Sequence, residues 1–173
     1  LKDSRTGAFA VIGFRLYLVA SLALWSEAKS EMLPVIGAGY VMSRSLSGLS
    51  VMVFPSAKKD GLGRTFQEQA HRKRVAVVMG CWFFAALAVM LMTSVQMGAA
   101  ALCTALLVFW YYHHMAMKQF GGMTGDLAGY FLQLAELLIL AAVIVQEVHY
   151  ENLADPPFSD TGKSGKTVYR TNR

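Results

Sequence analysis

The sequence predicts an all-α fold, a polytopic transmembrane helix bundle of about five spanning helices. Three observations carry that prediction. Of the 173 residues, 55% are hydrophobic and 16% charged, whereas a soluble domain has about 45–50% apolar and about 25% charged residues. Five apolar segments approach the roughly 20 residues that a helix needs to cross about 30 Å of hydrocarbon. Basic residues gather in alternate connections between those segments, as they do in membrane proteins. Five such segments in succession leave no polar faces for a soluble exterior. The same composition, with a mean hydropathy of +0.41, speaks against a disordered chain, a disulfide scaffold and a nucleic-acid-binding domain. The net charge of +5 and pI near 9.3 are assigned to membrane loops, and the expected partner is the lipid bilayer, with no nucleic acid. Cys81 and Cys103 each lie inside an apolar run and form no framework.

The first span covers about 8–25 and carries Arg15, close enough to the interface to snorkel. The second, about 32–54, contains Arg44 and four serines. The third, 75–93, has no charge. The fourth, about 96–117, ends in Trp110-Tyr111-Tyr112-His113-His114. Adjacent helical residues point about 100° apart, and no further His or Cys stands at ligand spacing, so this cluster reads as an interfacial aromatic belt rather than a metal site. The fifth span, 127–146, carries Gln133 and Glu136. Residues 26–31 and the turn near Ser94 make short connections. The long connection 55–74 is basic, with Lys58, Lys59, Arg64, Arg72, Lys73 and Arg74. With five spans, residues 1–7, 55–74 and 118–126 share one side, and the opposite short loops offer only Lys29. The positive-inside rule then places the three basic segments in the cytoplasm. Residues 1–146 are expected to form the membrane domain, and 147–173 a polar, disordered tail rich in Pro, Gly, Ser and Thr. Leu rather than Met at position 1 leads to the expectation that the chain starts partway through a longer protein.

The polar residues concentrate on that cytoplasmic side. Lys58-Lys59-Asp60-Gly61-Leu62-Gly63 and Gly121-Gly122-Met123-Thr124-Gly125-Asp126 are glycine-rich, and the second opens a helix. Such backbone approaches an anion closely, and free N–H groups at a helix N-terminus favour negative charge. Asp126 also suits a plain helix cap. Asp126, Gly129, Gln133 and Glu136 fall on one helical face, with Glu136 about 15 Å deep at about 1.5 Å per residue. A carboxylate at that depth must face protein or water, either in a functional role or protonated and hydrogen-bonded to a neighbouring helix. Arg44 shares a face with Tyr40, Ser47 and Gly48; Glu136 and a phosphate are both candidate partners for it.

Three segments resemble the cobalamin 5′-phosphate synthase (adenosylcobinamide-GDP ribazoletransferase) family. Lys2-Asp3-Ser4-Arg5-Thr6-Gly7 looks like its K/R-D-S-R-x-G. Ser43-Arg44 with the downstream Ala57-Lys58-Lys59-Asp60-Gly61-Leu62-Gly63 is similar to its S-R and basic G-L-G segment. Gly121 to Asp126, with Gly129 and Glu136, resembles its G-G-x-T-G-D-x-x-G signature and the acidic helix beyond. The likeness covers residues 1 to about 145. Family members carry a further upstream Asp-rich segment, H-x-D-G-x-x-D-x-x-D, that this chain lacks, and position 133, usually Glu there, is Gln here.

The resemblance implies a membrane transferase of the late cobalamin pathway. It would join α-ribazole or its 5′-phosphate to adenosylcobinamide-GDP and release GMP, with Mg²⁺ as cofactor and a homo-oligomer as a further expectation. On that basis Asp126 and Glu136 are catalytic, Asp126 also being the metal ligand. Asp3, Arg5, Arg44, Lys58, Lys59, Gly61, Gly63, Gly121, Gly122, Thr124 and Gly125 bind substrate. The alternatives are a different membrane phosphotransferase and a non-catalytic or degenerate membrane protein. A CDP-alcohol phosphotransferase would need D-x-x-D-G and D-x-x-x-D patterns, which do not occur. A transporter would show repeats or helices broken near the midplane.

Overall fold

A computed structural model describes residues 7–57 and 71–154. Within these residues lie five α-helices: α1 Ala8–Ser26, α2 Leu33–Val53, α3 Arg72–Thr93, α4 Val95–Phe120 and α5 Gly125–Ala154, with a 3-10 turn, Ser30–Met32, ahead of α2. The all-α bundle matches the expectation, and each helix lies on its predicted span to within a few residues except at the end of α5. That helix runs eight residues past the expected boundary at 146. No Gly or Pro interrupts 147–154, so nothing stops the helix at the membrane edge. Glu151 on this extension pairs with Lys29 on the connection after α1, and the neighbouring carboxylate raises the Lys29 ammonium above its usual range.

Among the described residues α3, α4 and α5 are each long and apolar enough to cross a bilayer, and α1 and α2 meet that test together as a pair bent by 109°. α2 carries its serines inside the bundle. Val35, Ile36, Met42 and Leu46 are buried, and so are Ser43, Ser45, Ser47 and Ser50. A helix enclosed by protein does not need a lipid-compatible surface. Three of its serines return their hydroxyls to the helix's own carbonyls, Ser43 to Tyr40, Ser45 to Val41 and Ser50 to Ser47, at 2.6–2.9 Å, which removes the cost of burying them. Ser50 Oγ also lies 3.4 Å from the buried Tyr112 hydroxyl of α4.

Small residues let these backbones close up. A Cβ at Gly39 would fall 2.7 Å from Ile139 of α5, and one at Gly48 would fall 2.7 Å from Met79 of α3. Ala101, Ala105, Val108, Tyr112 and Ala116 form a buried stripe on α4 that faces Leu127, Phe131, Ala135, Ile139 and Val143, every fourth residue of α5. The tight α3–α4 turn rests on Gly98 against the Met90 carbonyl, where a Cβ would sit at 3.1 Å, and on Ser94, which caps α4 by accepting the Met97 N–H at 3.4 Å. The antiparallel succession leaves the end of α2, the start of α3, the end of α4 and the start of α5 at one end of the bundle. Outside this core, α1 packs mainly against α5 and exposes Phe14, Leu16, Val19 and Leu22.

Candidate active-site face

At that end the glycine signature forms a specific turn. α4 stops because Gly121 adopts a left-handed conformation, φ 68°, which a side chain would disfavour. The N–H groups of Gly121 and Gly122 both donate to the Ala116 carbonyl, which closes the end of α4. Gly122, with φ 154°, brings the chain against the segment that leaves α2: a Cβ there would lie 2.4 Å from the Pro55 carbonyl oxygen. The Met123 N–H donates to that oxygen at 2.8 Å, and the Ala57 N–H donates to the Met123 carbonyl at 3.0 Å. Together they make a parallel bridge between Ser56 and Met123.

Thr124 opens α5. Its Oγ1 accepts the Leu127 N–H at 3.3 Å and its carbonyl accepts the Ala128 N–H at 3.1 Å, while the threonine O–H is kept as a donor. The cap is therefore Thr124, which frees Asp126 from the capping role that the sequence also allowed. Asp126 sits exposed in the first helical turn. Among the described residues nothing pairs with its carboxylate. The N–H groups of Gly125 and Asp126 belong to the unpaired first turn, where the helix dipole favours an anion.

Lys58, Lys59, Gly61 and Gly63 lie outside the described residues, as do Asp3 and Arg5. The flanks of the basic segment are nevertheless both at this face. Ala57 is bonded to Met123, and Arg72 donates through Nε and Nη2 to the Met52 carbonyl at 3.1 and 2.6 Å, tying the first turn of α3 to the last turn of α2. Neither contact is evident from the sequence. The bridge uses backbone groups alone, and Arg72 looks like any other cation of a basic loop.

Arg44 and Glu136 find each other rather than the glycine loop. Arg44 Nη2 lies 2.9 Å from Glu136 Oε1, and that oxygen is buried without a hydrogen bond, so the contact is an ion pair whose N–H is poorly aimed. Glu136 stands ten residues into α5 from Asp126, about 15 Å below it. Glu136 is one of the two partners that the sequence leaves open to Arg44. An exposed arginine on a largely buried carboxylate at this depth braces α2 to α5. Losing the cation leaves an uncompensated charge, so Arg44→Leu is expected to destabilise the bundle, and Glu136→Gln to recover about 1–2 kcal/mol of that loss. A double-mutant cycle of unfolding in bicelles measures the coupling.

His113 packs edge-on to Phe54 at 4.7 Å and His114 stacks on Trp110 at 6.2 Å, which agrees with an aromatic cluster. Among the described residues no group of three or more His, Cys, Asp or Glu is arranged to hold a metal. Asp126 alone fits only a cation that takes most of its ligands from water and phosphate, which is how Mg²⁺ commonly binds.

Fold and face together define a multi-pass integral membrane protein with a glycine-built turn at one end of its bundle. The family model for cobalamin-5-phosphate synthase matches residues 1–144, and the chain belongs to that family. The adenosylcobinamide-GDP ribazoletransferase of Lachnoclostridium phytofermentans is 40% identical over 147 residues, covering 85% of this chain and 56% of the relative. The protein of that name from Pseudomonas aeruginosa is 31% identical, with 83% and 57% covered, and that from Citrobacter koseri is 27% identical, with 83% and 58% covered. The chain thus spans little more than half the length of the curated relatives it matches. No solved structure matches it.

Proposed function

We propose that the chain carries the phosphate-handling face of a transferase that joins α-ribazole, or its 5′-phosphate, to adenosylcobinamide-GDP. The carrying observation is the Ser56–Met123 bridge, which brings the stem of the basic segment against the Gly121–Asp126 turn. In the reaction a ribose hydroxyl oxygen attacks the phosphorus attached to cobinamide. A new P–O bond forms, the diphosphate P–O bond breaks, GMP leaves with that electron pair, and the hydroxyl proton passes to solvent water. Such a step needs in-line positioning and charge stabilisation more than covalent help. The N–H groups of Gly125 and Asp126 and the Thr124 hydroxyl bind phosphate oxygens, and Gly121 and Gly122 admit the diphosphate to the backbone. Lys58, Lys59 and Arg5 screen GMP as it departs, with Gly61 and Gly63 allowing the approach and Asp3 holding its loop. Asp126 orients the attacking hydroxyl and, with water and phosphate oxygens, would hold Mg²⁺. That ion, when bound, supplies positive charge to the diphosphate. Arg44 and Glu136 act at a distance, by fixing α2 against α5.

The face is cytoplasmic in this reading, in a prokaryotic inner membrane. Arg72, Lys73, Arg74 and Lys118 lie at its end, whereas Glu27, Glu31, Glu147 and Glu151 outnumber Lys29 at the other. Substituting this chain for the matching segment of the Lachnoclostridium phytofermentans relative tests the proposal. The chimera in proteoliposomes should release GMP from adenosylcobinamide-GDP only when α-ribazole is supplied. GMP release indifferent to α-ribazole, or a folded chimera that releases none, overturns it.

A further inference from the structure

Between α1 and α5 lies a cleft of about 530 Å³, within the range of about 300–1,000 Å³ typical of small-molecule sites. Phe14, Tyr17 and Tyr130 give it three aromatic rings, Gly13 leaves its α1 wall bare, and the only amide side chain lining it is that of Gln133. Two features tie it to a ligand. Tyr130 follows Asp126 by one helical turn on the same face, so the cleft opens about 6 Å from the reacting end. Gln133 is exposed at membrane depth, and among the described residues it makes no hydrogen bond. A primary amide in hydrocarbon costs several kcal/mol unless it is partnered, and an acyl chain offers no partner.

We propose that this cleft receives the base of the acceptor nucleoside, a planar aromatic nitrogen heterocycle. The inference rests on the function proposed above, since α-ribazole is the riboside of dimethylbenzimidazole. The rings of Phe14, Tyr17 and Tyr130 pack on the bicyclic base, and the Gln133 amide donates to its free ring nitrogen. The sugar then reaches up one turn to present its hydroxyl beside Asp126. The cleft is a specificity element: it accepts flat apolar bases with a nitrogen acceptor and leaves the diphosphate to the glycine turn.

Two substitutions test this without disturbing that turn. No atom lies within 4 Å of a Cβ at Gly13, so Gly13→Leu folds and fills the cleft, while Gln133→Leu removes the amide. With the 173-residue chain in nanodiscs, equilibrium dialysis of radiolabelled dimethylbenzimidazole should show saturable binding above that of empty nanodiscs. Each variant should weaken it about tenfold or more, the loss expected for a buried hydrogen bond or an occluded site. Binding that never saturates, unchanged affinity in both variants, or displacement of the base by a fatty acid overturns the inference. The chimera separates the two readings. An active chimera whose KM for α-ribazole ignores Gly13→Leu refutes the cleft alone. An inactive chimera, with base binding still lost in Gly13→Leu, refutes the transferase alone.

Discussion

Replacing Gly122 with valine is expected to lower transfer by about a hundredfold while leaving the helices in place. At this position the backbone has φ 154°, a conformation that costs a β-branched residue on the order of 1–3 kcal/mol. The added Cβ would also stand 2.4 Å from the Pro55 carbonyl oxygen and 2.9 Å from the Ala57 nitrogen. Both atoms are backbone and cannot rotate aside. The two strands must therefore part, and the hydrogen bonds at 2.8 and 3.0 Å that form the bridge are lost, each worth about 0.5–1.5 kcal/mol. Together these terms reach about 3 kcal/mol of lost positioning, close to two factors of ten in rate. Gly121→Ala is the informative comparison. Its φ of 68° is left-handed, but no atom lies within 4 Å of a Cβ there, so it pays only the conformational cost of about 1 kcal/mol. A larger loss at Gly122 than at Gly121, with unchanged helicity by circular dichroism, establishes that the approach to Pro55 matters. Equal losses would reduce both glycines to turn formers.

The helices were legible because crossing hydrocarbon demands length and apolarity, and both can be counted along a chain. What could not be counted was burial. α2 contains an arginine and four serines; the serines are enclosed by the bundle, and the exposed Arg44 is matched by Glu136 of α5. α5 runs on to Ala154, past the apolar span, because no residue between Glu147 and Ala154 breaks a helix. At the site, Gly121–Asp126 could be recognised from its pattern. The Pro55–Met123 contact could not, because backbone hydrogen bonds leave no side-chain signature. The meeting of Arg44 with Glu136 depended on the packing of α2 against α5, which spacing within one helix does not determine. The cap of α5 was not legible either: the sequence offered Asp126 for that role, and in the structure Thr124 fills it.

Asp126→Asn is expected to have the largest effect on turnover, about a thousandfold, with the fold intact. The change is isosteric, and the side chain is exposed, with no partner among the described residues. Its structural contribution is confined to a negative charge in the first turn of α5, worth about 0.3–1 kcal/mol through the helix dipole. A merely structural aspartate would therefore cost little in activity. Under the proposed mechanism the same carboxylate orients the attacking hydroxyl and supplies the cation's protein oxygen, so the amide, which keeps an oxygen but loses the charge, weakens both at once. Losses of roughly 3–4 kcal/mol are typical when one preorganised polar group at a reacting centre is deleted, and 1.4 kcal/mol corresponds to about tenfold. The substrates should still bind, because the Gly125 and Asp126 N–H groups and the Thr124 hydroxyl are untouched. The chimera bearing Asp126→Asn should thus show a collapsed kcat with KM for adenosylcobinamide-GDP within a few-fold of the parent, and its thermal unfolding in detergent should shift little. Turnover within tenfold of the parent would assign Asp126 to helix stabilisation and return the chemistry to another residue of the same face.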